Sequence, residues 1–461
     1  MRARQVVLRE HGRLWRAGPR APAGAPCLPG AVLDRLRRMD ERLGDGETFT
    51  WAADYAKASQ WVGVIHAPGL QLEILPKIDG ALEEQNDDDT ATDGLSAQQA
   101  DDQHEARSNL LFMLAVSGDI PVRTRDLAQL ATRRAPLSET LLRLFAERLR
   151  HELLVGAERR YVQREDNLRT VKGRLRMRQH IAHNAAHRER FFCAYEELGV
   201  DTALNRVFKA TCRALLDATQ ASATLVALRD CLAALEDVAD TLDPTPLFAH
   251  VHITRQSERF RELYGFCQLV WLQRSPTIRA GQTRTFSLLF DMNVVFERFI
   301  AGFLRRYVMP SLPGFELFPQ ATQHQLHLFD RAGKGVLRLE PDLLLRRPDG
   351  AWLVIDTKWK RTSGLRESKR ADLYQLFAYA KRYQAATSLL LYPHMPEAAD
   401  EDLALVTDDG GAGPQSVGTR FVRLHRDLHR EHEVTSLAVE LKTMILAAAG
   451  LAAHQVQESA A

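Results

Sequence analysis

Two apolar runs, Leu343-Leu344-Leu345 and Trp352-Leu353-Val354-Ile355, flank Pro348-Asp349-Gly350, and an acid bounds each run, Asp342 and Asp356. Short apolar runs around such a turn read as paired strands. A three-residue loop with Gly350 in the left-handed position sets Arg347 opposite Ala351 and fixes every later pair. Asp342 then faces Asp356, and Glu340 faces Lys358. Side chains two residues apart share a face, so these four are expected together, with Leu339, Leu343, Leu345, Leu353 and Ile355 pointing into the core.

Directly opposed residues have Cβ atoms roughly 4.5–5.5 Å apart, and like charges at that range repel unless something positive lies between them. Mg2+ fits, because it binds through one or two carboxylates and keeps several waters. Lys358 beside it orients a water or neutralises a phosphate. Asp342, Asp356, Lys358 and a divalent ion thus predict phosphodiester hydrolysis. The plainer alternative makes both acids strand-end residues paired with Arg338, Lys358 or Lys360.

The rest of the chain sets the frame. With 461 residues it has room for several domains, and 45% apolar and 26% charged residues are ordinary for a soluble protein. A net charge of +2 confines any nucleic-acid surface to a patch. The five cysteines form no CxxC pair, which suits a reducing cytoplasm and argues against a zinc ribbon. No signal-like or membrane-spanning apolar run is present, so a cytoplasmic protein without membrane attachment is expected.

The expected fold class is multidomain α+β. Residues 1–106 read as a β-rich domain carrying an acidic insertion at 79–106, too polar to order itself and so expected to be disordered. Residues 107–285 read as a helical middle region, with Thr202 and Ser138 as helix N-caps. Residues 286–450 alternate between helix and strand and predict an α/β domain with a mixed sheet, leaving 451–461 as a tail. Within the middle region, residues 159–178 are strongly basic. Arg169, Lys172, Arg174 and Arg176 read either as DNA-phosphate contacts or as a solvated helix or strand face. His180, His183 and His187, like His425, His429 and His432, read as surface rather than as metal ligands. No GxxxxGK[ST] occurs, so no nucleotide is expected on this chain.

Pro341-Asp342 and Asp356-Thr357-Lys358 resemble the PD-(D/E)xK nuclease signature. The resemblance implies that Glu297, in "FDMNVVFERF", joins the metal site with Asp342 and Asp356, and that Gln375 and Tyr379, in "DLYQLFAYA", support it. Together with "LEILPKI" and "VKGRL", these segments resemble the McrC family, nuclease subunits of McrBC-type restriction systems. That family implies an Mg2+-dependent endonuclease in phage defense. It also implies a partner, an McrB-like AAA+ GTPase hexamer that binds the GTP, and double-stranded DNA carrying modified cytosine. The N-terminal part is then the partner-docking domain, and the chain stimulates GTP hydrolysis. The rival reading is an inactive adaptor of the same fold that binds DNA and activates the motor. The acidic insertion departs from the family pattern.

Overall fold

Residues 4–44, 48–67, 69–77, 97–122, 135–271, 286–321, 324, 326–329, 335–364, 370–396, 398–405 and 415–451 are described by the structure, a computed structural model. They fall into two units, residues 1–138 with 281–461, and residues 139–280. The β-rich N-terminal segment and the C-terminal α/β segment, expected as separate domains, share the first unit.

That unit begins with β1 (Arg4–Arg9), β2 (Arg13–Arg16), β3 (Cys27–Leu28), α1 (Gly30–Gly44), β4 (Phe49–Trp51), β5 (Tyr55–Ala58), β6 (Trp61–Ala67) and β7 (Leu70–Leu75). One sheet runs β1-β7-β6-β11, where β11 (Phe286–Asp291) comes from far along the chain, and a smaller one runs β3-β2-β5-β4. Leu14, Leu28, Leu36, Ile65, Leu72 and Leu289 form their common core.

α2 (Ala97–Ser117) starts inside the stretch expected to be disordered. Residues 97–106 are helical because the helix is anchored downstream. Ala106 is buried, and Arg107 grips the buried Glu73 of β7 through two bonds of 2.7 and 3.1 Å. The remainder of that stretch, 79–96, lies outside the described residues. α2 packs on α8 (Met292–Phe303), which follows directly from β11. Gly302 permits the approach, since a Cβ there would lie 2.4 Å from Val116 O.

The C-terminal sheet runs β12-β15-β16-β17-β19-β18, using β12 (Glu316–Pro319), β15 (Leu343–Arg346), β16 (Trp352–Thr357), β17 (Thr387–Pro393), β18 (Glu401–Leu405) and β19 (Gln415–Val422). β16, β17 and β19 are parallel and the outer pairings antiparallel, the mixed sheet the pattern predicted. The hairpin strand expected to run from Leu345 back through Glu340 and Leu339 is two strands. β14 (Gly335–Leu339) pairs with β13 (Leu326–Phe329), and β15 starts after a break at Pro341, which has no N–H for a ladder. α9 (Arg370–Tyr383) lays Leu376, Tyr379 and Tyr383 over Leu344, Val354 and Leu390. Both faces of the hairpin are therefore buried, not only the one expected. α10 (Glu431–Ala448) closes the described chain.

The second unit contains most of α3 (Leu137–Val155), then β8 (Arg160–Leu168), β9 (Arg174–Leu175), α4 (Met177–Asn184), β10 (Phe191–Gly199), α5 (Ala203–Leu216), α6 (Ser222–Ala234) and α7 (Arg261–Trp271). The middle region is thus not wholly helical. Its basic stretch enters an antiparallel sheet, β8-β10-β9, held by nine register pairs between β8 and β10. Thr202 caps α5 as expected, accepting from Asn205 N at 3.2 Å, whereas Ser138 lies inside α3. Among the described residues no helix is long and apolar enough to cross a membrane.

Candidate active site

The turn and register expected from the sequence are present. Gly350 has φ of 85°, its N–H donates to Arg347 O at 2.9 Å, and Arg347 N–H donates to Ala351 O at 2.9 Å. Arg346 then pairs with Trp352, Leu344 with Val354, and Leu343 with Ile355. Just beyond the last pair, the Asp342 carboxylate crosses to β16. Its Oδ2 accepts from Thr357 N at 2.6 Å and Thr357 Oγ1 at 2.7 Å. Glu340 departs from the expected cluster, because the strand breaks there and its exposed carboxylate pairs with Arg338 at 2.5 Å.

Asp356 is fully buried, and Lys358 Nζ stands 2.6 Å from its Oδ2. Beyond that ammonium, neither oxygen of Asp356 receives a hydrogen bond among the described residues. Burial, then the charge of Asp342, pushes the Asp356 carboxyl up to about 7 against the pull of Lys358. Burial also raises Asp342, with the Thr357 bonds and Lys358 restraining it. For Lys358, burial acts downward, but the surrounding carboxylates outweigh it and the ammonium is held above its ordinary value. Two carboxylates thus share one ammonium.

Glu297, on α8, is raised by burial and then by the charge of Asp342, which places it in the field of the pair. Gln320 links the two, donating from Nε2 to Glu297 Oε1 at 3.0 Å and from its backbone N–H to Asp342 O at 2.7 Å. Gln375 and Tyr379 meet on one face of α9, where Gln375 Nε2 donates to Tyr379 OH at 2.9 Å. The Tyr379 hydroxyl in turn donates to Glu340 O at 3.0 Å. These two therefore hold the backbone just ahead of Asp342.

A buried carboxylate with open lone pairs, beside a second acid, is an oxygen-donor set suited to a hard divalent cation such as Mg2+. Among the described residues, no three His, Cys, Asp or Glu side chains converge closely enough to enclose a metal. Asp342 and Asp356 bring carboxylate oxygens to one strand end.

Arg169, Lys172, Arg174 and Arg176 lie in the second unit, the first three exposed and Arg176 half-buried. Lys172 Nζ pairs with Glu197 at 3.2 Å and sits 4.0 Å above the Tyr195 ring, and Arg176 Nε donates to Glu165 at 2.8 Å. Arg169 and Arg174 have no acidic partner among the described residues. The two histidine triplets do not assemble as sets. His180 and His183 stack on Phe191 and Phe192, and His425 faces His394 from another strand end.

Several contributors escaped the sequence reading. Thr357 lies inside the Asp-x-Lys element, yet its role as donor to Asp342 depends on the end of the ladder. Gln320 has no pattern to mark it. It and Ala321 sit in the left-handed region, with φ of 50° and 45°, a conformation costing non-glycine residues about 1–2 kcal/mol each. Lys360 turns from the acids to Asp372, at 2.8 Å.

Comparison with known proteins agrees with this architecture. The family described as McrBC 5-methylcytosine restriction system component matches residues 56–393. The chain is 20% identical over 292 residues to the Type IV methyl-directed restriction enzyme EcoKMcrBC of Escherichia coli (strain K12), covering 59% of this chain and 81% of that protein. Among solved structures, it resembles a chain of the Thermococcus gammatolerans tetradecameric assembly of McrB AAA+ hexamers with bound McrC. The TM-score there is 0.64 at 20% identity, over 96% of this chain and 100% of that one. A cryo-EM structure of the Thermococcus gammatolerans McrBC complex gives a TM-score of 0.48 at 22% identity, over 67% and 90%.

Proposed function

This chain belongs to the family of McrBC 5-methylcytosine restriction system components, and from that premise we propose that it is the subunit that cuts DNA, hydrolysing phosphodiester bonds with Mg2+. The observation that carries the reading is Asp356, buried with no hydrogen-bond donor among the described residues except the ammonium of Lys358, at a strand end shared with Asp342. A purely structural acid in that position would be expected to have its oxygens satisfied.

Asp342 and Asp356, with Glu297 near Asp342, would hold the Mg2+. When bound, the ion supplies a more acidic water and positive charge for the phosphate. The protein's own residues orient the rest. Thr357 fixes one oxygen of Asp342 with two donors and leaves the other for ligation. Lys358 has three N–H bonds and uses one direction on Asp356, so it can donate to a phosphate oxygen or to the attacking water. Gln320 ties the strand end to Glu297, and Tyr379 holds the Glu340 carbonyl, so neither acid is free to swing.

The partner proposed is an McrB-like AAA+ GTPase hexamer whose GTP hydrolysis this chain stimulates; support comes from the fold likeness to a chain of the Thermococcus gammatolerans assembly of McrB AAA+ hexamers with bound McrC. The DNA proposed is double-stranded and carries modified cytosine, in keeping with the family description. Arg169 and Arg174, the two of the basic set without an acidic partner, are the ones proposed for phosphate contact, with Lys172 and Arg176 beside them.

The test is direct. The chain is incubated with its GTPase partner, GTP and Mg2+ on methylated and unmethylated DNA, beside Asp356→Ala. Breaks confined to methylated DNA and to the wild-type chain are expected, with the variant slower by about 10²–10³-fold. Cutting by Asp356→Ala at the wild-type rate would remove the site assignment.

A further inference from the structure

Trp359 lies between Lys358 and Lys360, and its indole N–H is shared by both carboxylate oxygens of Glu10, at 3.0 Å each. Glu10 directly follows β1, is 2% exposed, and donates its own N–H to Leu75 O at 2.9 Å. The indole also packs on Phe296, with ring centroids 5.3 Å apart, and Phe296 precedes Glu297 on α8. On either side of Trp359 the lysines are tied to acids, Lys358 to Asp356 and Lys360 to Asp372. One buried group of the first sheet thus grips the peptide that carries Lys358.

A neutral acceptor would hold an indole as well, and a buried carboxylate is costly. Its surroundings do little to compensate. His11 lies 3.7 Å away, Lys77 offers a long backbone bond of 3.4 Å and its charge, and Asp291 of β11 adds a like charge. Arg361, just after the lysine pair, acts on His11.

We propose that Glu10 is a positioning residue of the nuclease site, fixing Lys358 through the Trp359 indole and tying the first sheet to the reaction centre. This inference rests on the nuclease reading above. Burial holds the Glu10 carboxyl up at about 7, so its grip on the indole changes within the working pH range.

The experiment uses the full chain with its GTPase partner, GTP and Mg2+, comparing wild type, Glu10→Gln, Glu10→Leu and Trp359→Phe. Glu10→Leu and Trp359→Phe are expected to cut about 10–100-fold more slowly while the partner's GTP hydrolysis is unchanged. Glu10→Gln keeps an acceptor oxygen but cannot titrate. It should recover most of the rate. The Trp359 emission, taken as wild type minus Trp359→Phe, should titrate near pH 7 and lose that titration in Glu10→Gln. Wild-type rates in both Glu10→Leu and Trp359→Phe overturn the proposal. If Glu10→Leu also loses GTPase stimulation, its fold is damaged, and the Trp359 emission decides: a titration near pH 7 that persists unchanged in Glu10→Gln overturns the proposal. A wild-type chain that cuts no better than Asp356→Ala overturns the nuclease reading, and the positioning role with it.

Discussion

Asp356 and Glu10 are carboxylates that water barely reaches, and their neighbours give them different tasks. Asp356 keeps open lone pairs beside Lys358, so Lys358→Ala is expected to fold and to lower cleavage about 10²–10³-fold, read as the initial rate of plasmid linearisation. Glu10 has its oxygens engaged by the Trp359 indole, and its burial also bears on stability. The folded carboxyl titrates at about 7 instead of the model-compound 4.5. The folded chain therefore keeps a proton that the unfolded chain releases. That contribution is complete below 4.5 and is lost as pH rises through 7. Glu10→Gln should thus gain stability relative to wild type between pH 5 and pH 8, by at most on the order of 3 kcal/mol. Denaturant midpoints at the two pH values measure the difference, and parallel curves for the two proteins would contradict it.

Among the elements, α2 shows how a polar run becomes ordered. Ala, Gln, Glu and Arg are good helix formers, but residues 97–106 gain order from the helix they extend and from the buried pair of Arg107 with Glu73. Glu73 also accepts from Leu137 N at 3.1 Å, so one carboxylate joins β7, α2 and the start of α3. Arg107→Ala would leave that carboxylate buried without its cation. A loss of about 3–5 kcal/mol is expected, measured by chemical denaturation. Exposed pairs such as Arg37 with Glu41 should cost under about 1 kcal/mol when broken.

For the whole molecule, the segments proposed for docking and for cleavage share one unit. β11 completes the N-terminal sheet and runs straight into α8, the helix of Glu297. A chain beginning at Ser108 lacks β1, β6 and β7, which leaves β11 without its partner and Trp359 without Glu10. It is expected to neither stimulate the partner's GTPase nor cut, and its thermal unfolding should lose cooperativity. Asp342→Ala keeps every strand. It should stimulate GTP release of phosphate as wild type does while failing to cut, a separation that phosphate-release and cleavage assays on one preparation will show.

Local chemistry alone determined the hairpin. Pro348-Asp349-Gly350 fixed its turn, the period of two fixed its register, and together they brought Asp342 and Asp356 to one strand end. The mixed sheet and the caps of α5 were legible for the same reason, since short-range sterics and hydrogen bonds specify them. Other features depend on contacts far apart in the chain. Pro341 splits what reads as one strand, and the two halves join different sheets because each finds a different neighbour. Residues 97–106 look unfoldable by composition and are helical because Glu73 waits on β7. The first part of the basic stretch, residues 160–168, became a strand through its pairing with residues 191–199. Glu10 and Trp359 are 349 residues apart, and no periodicity links them. Burial of a charge is decided by what packs around it, which only the tertiary structure supplies.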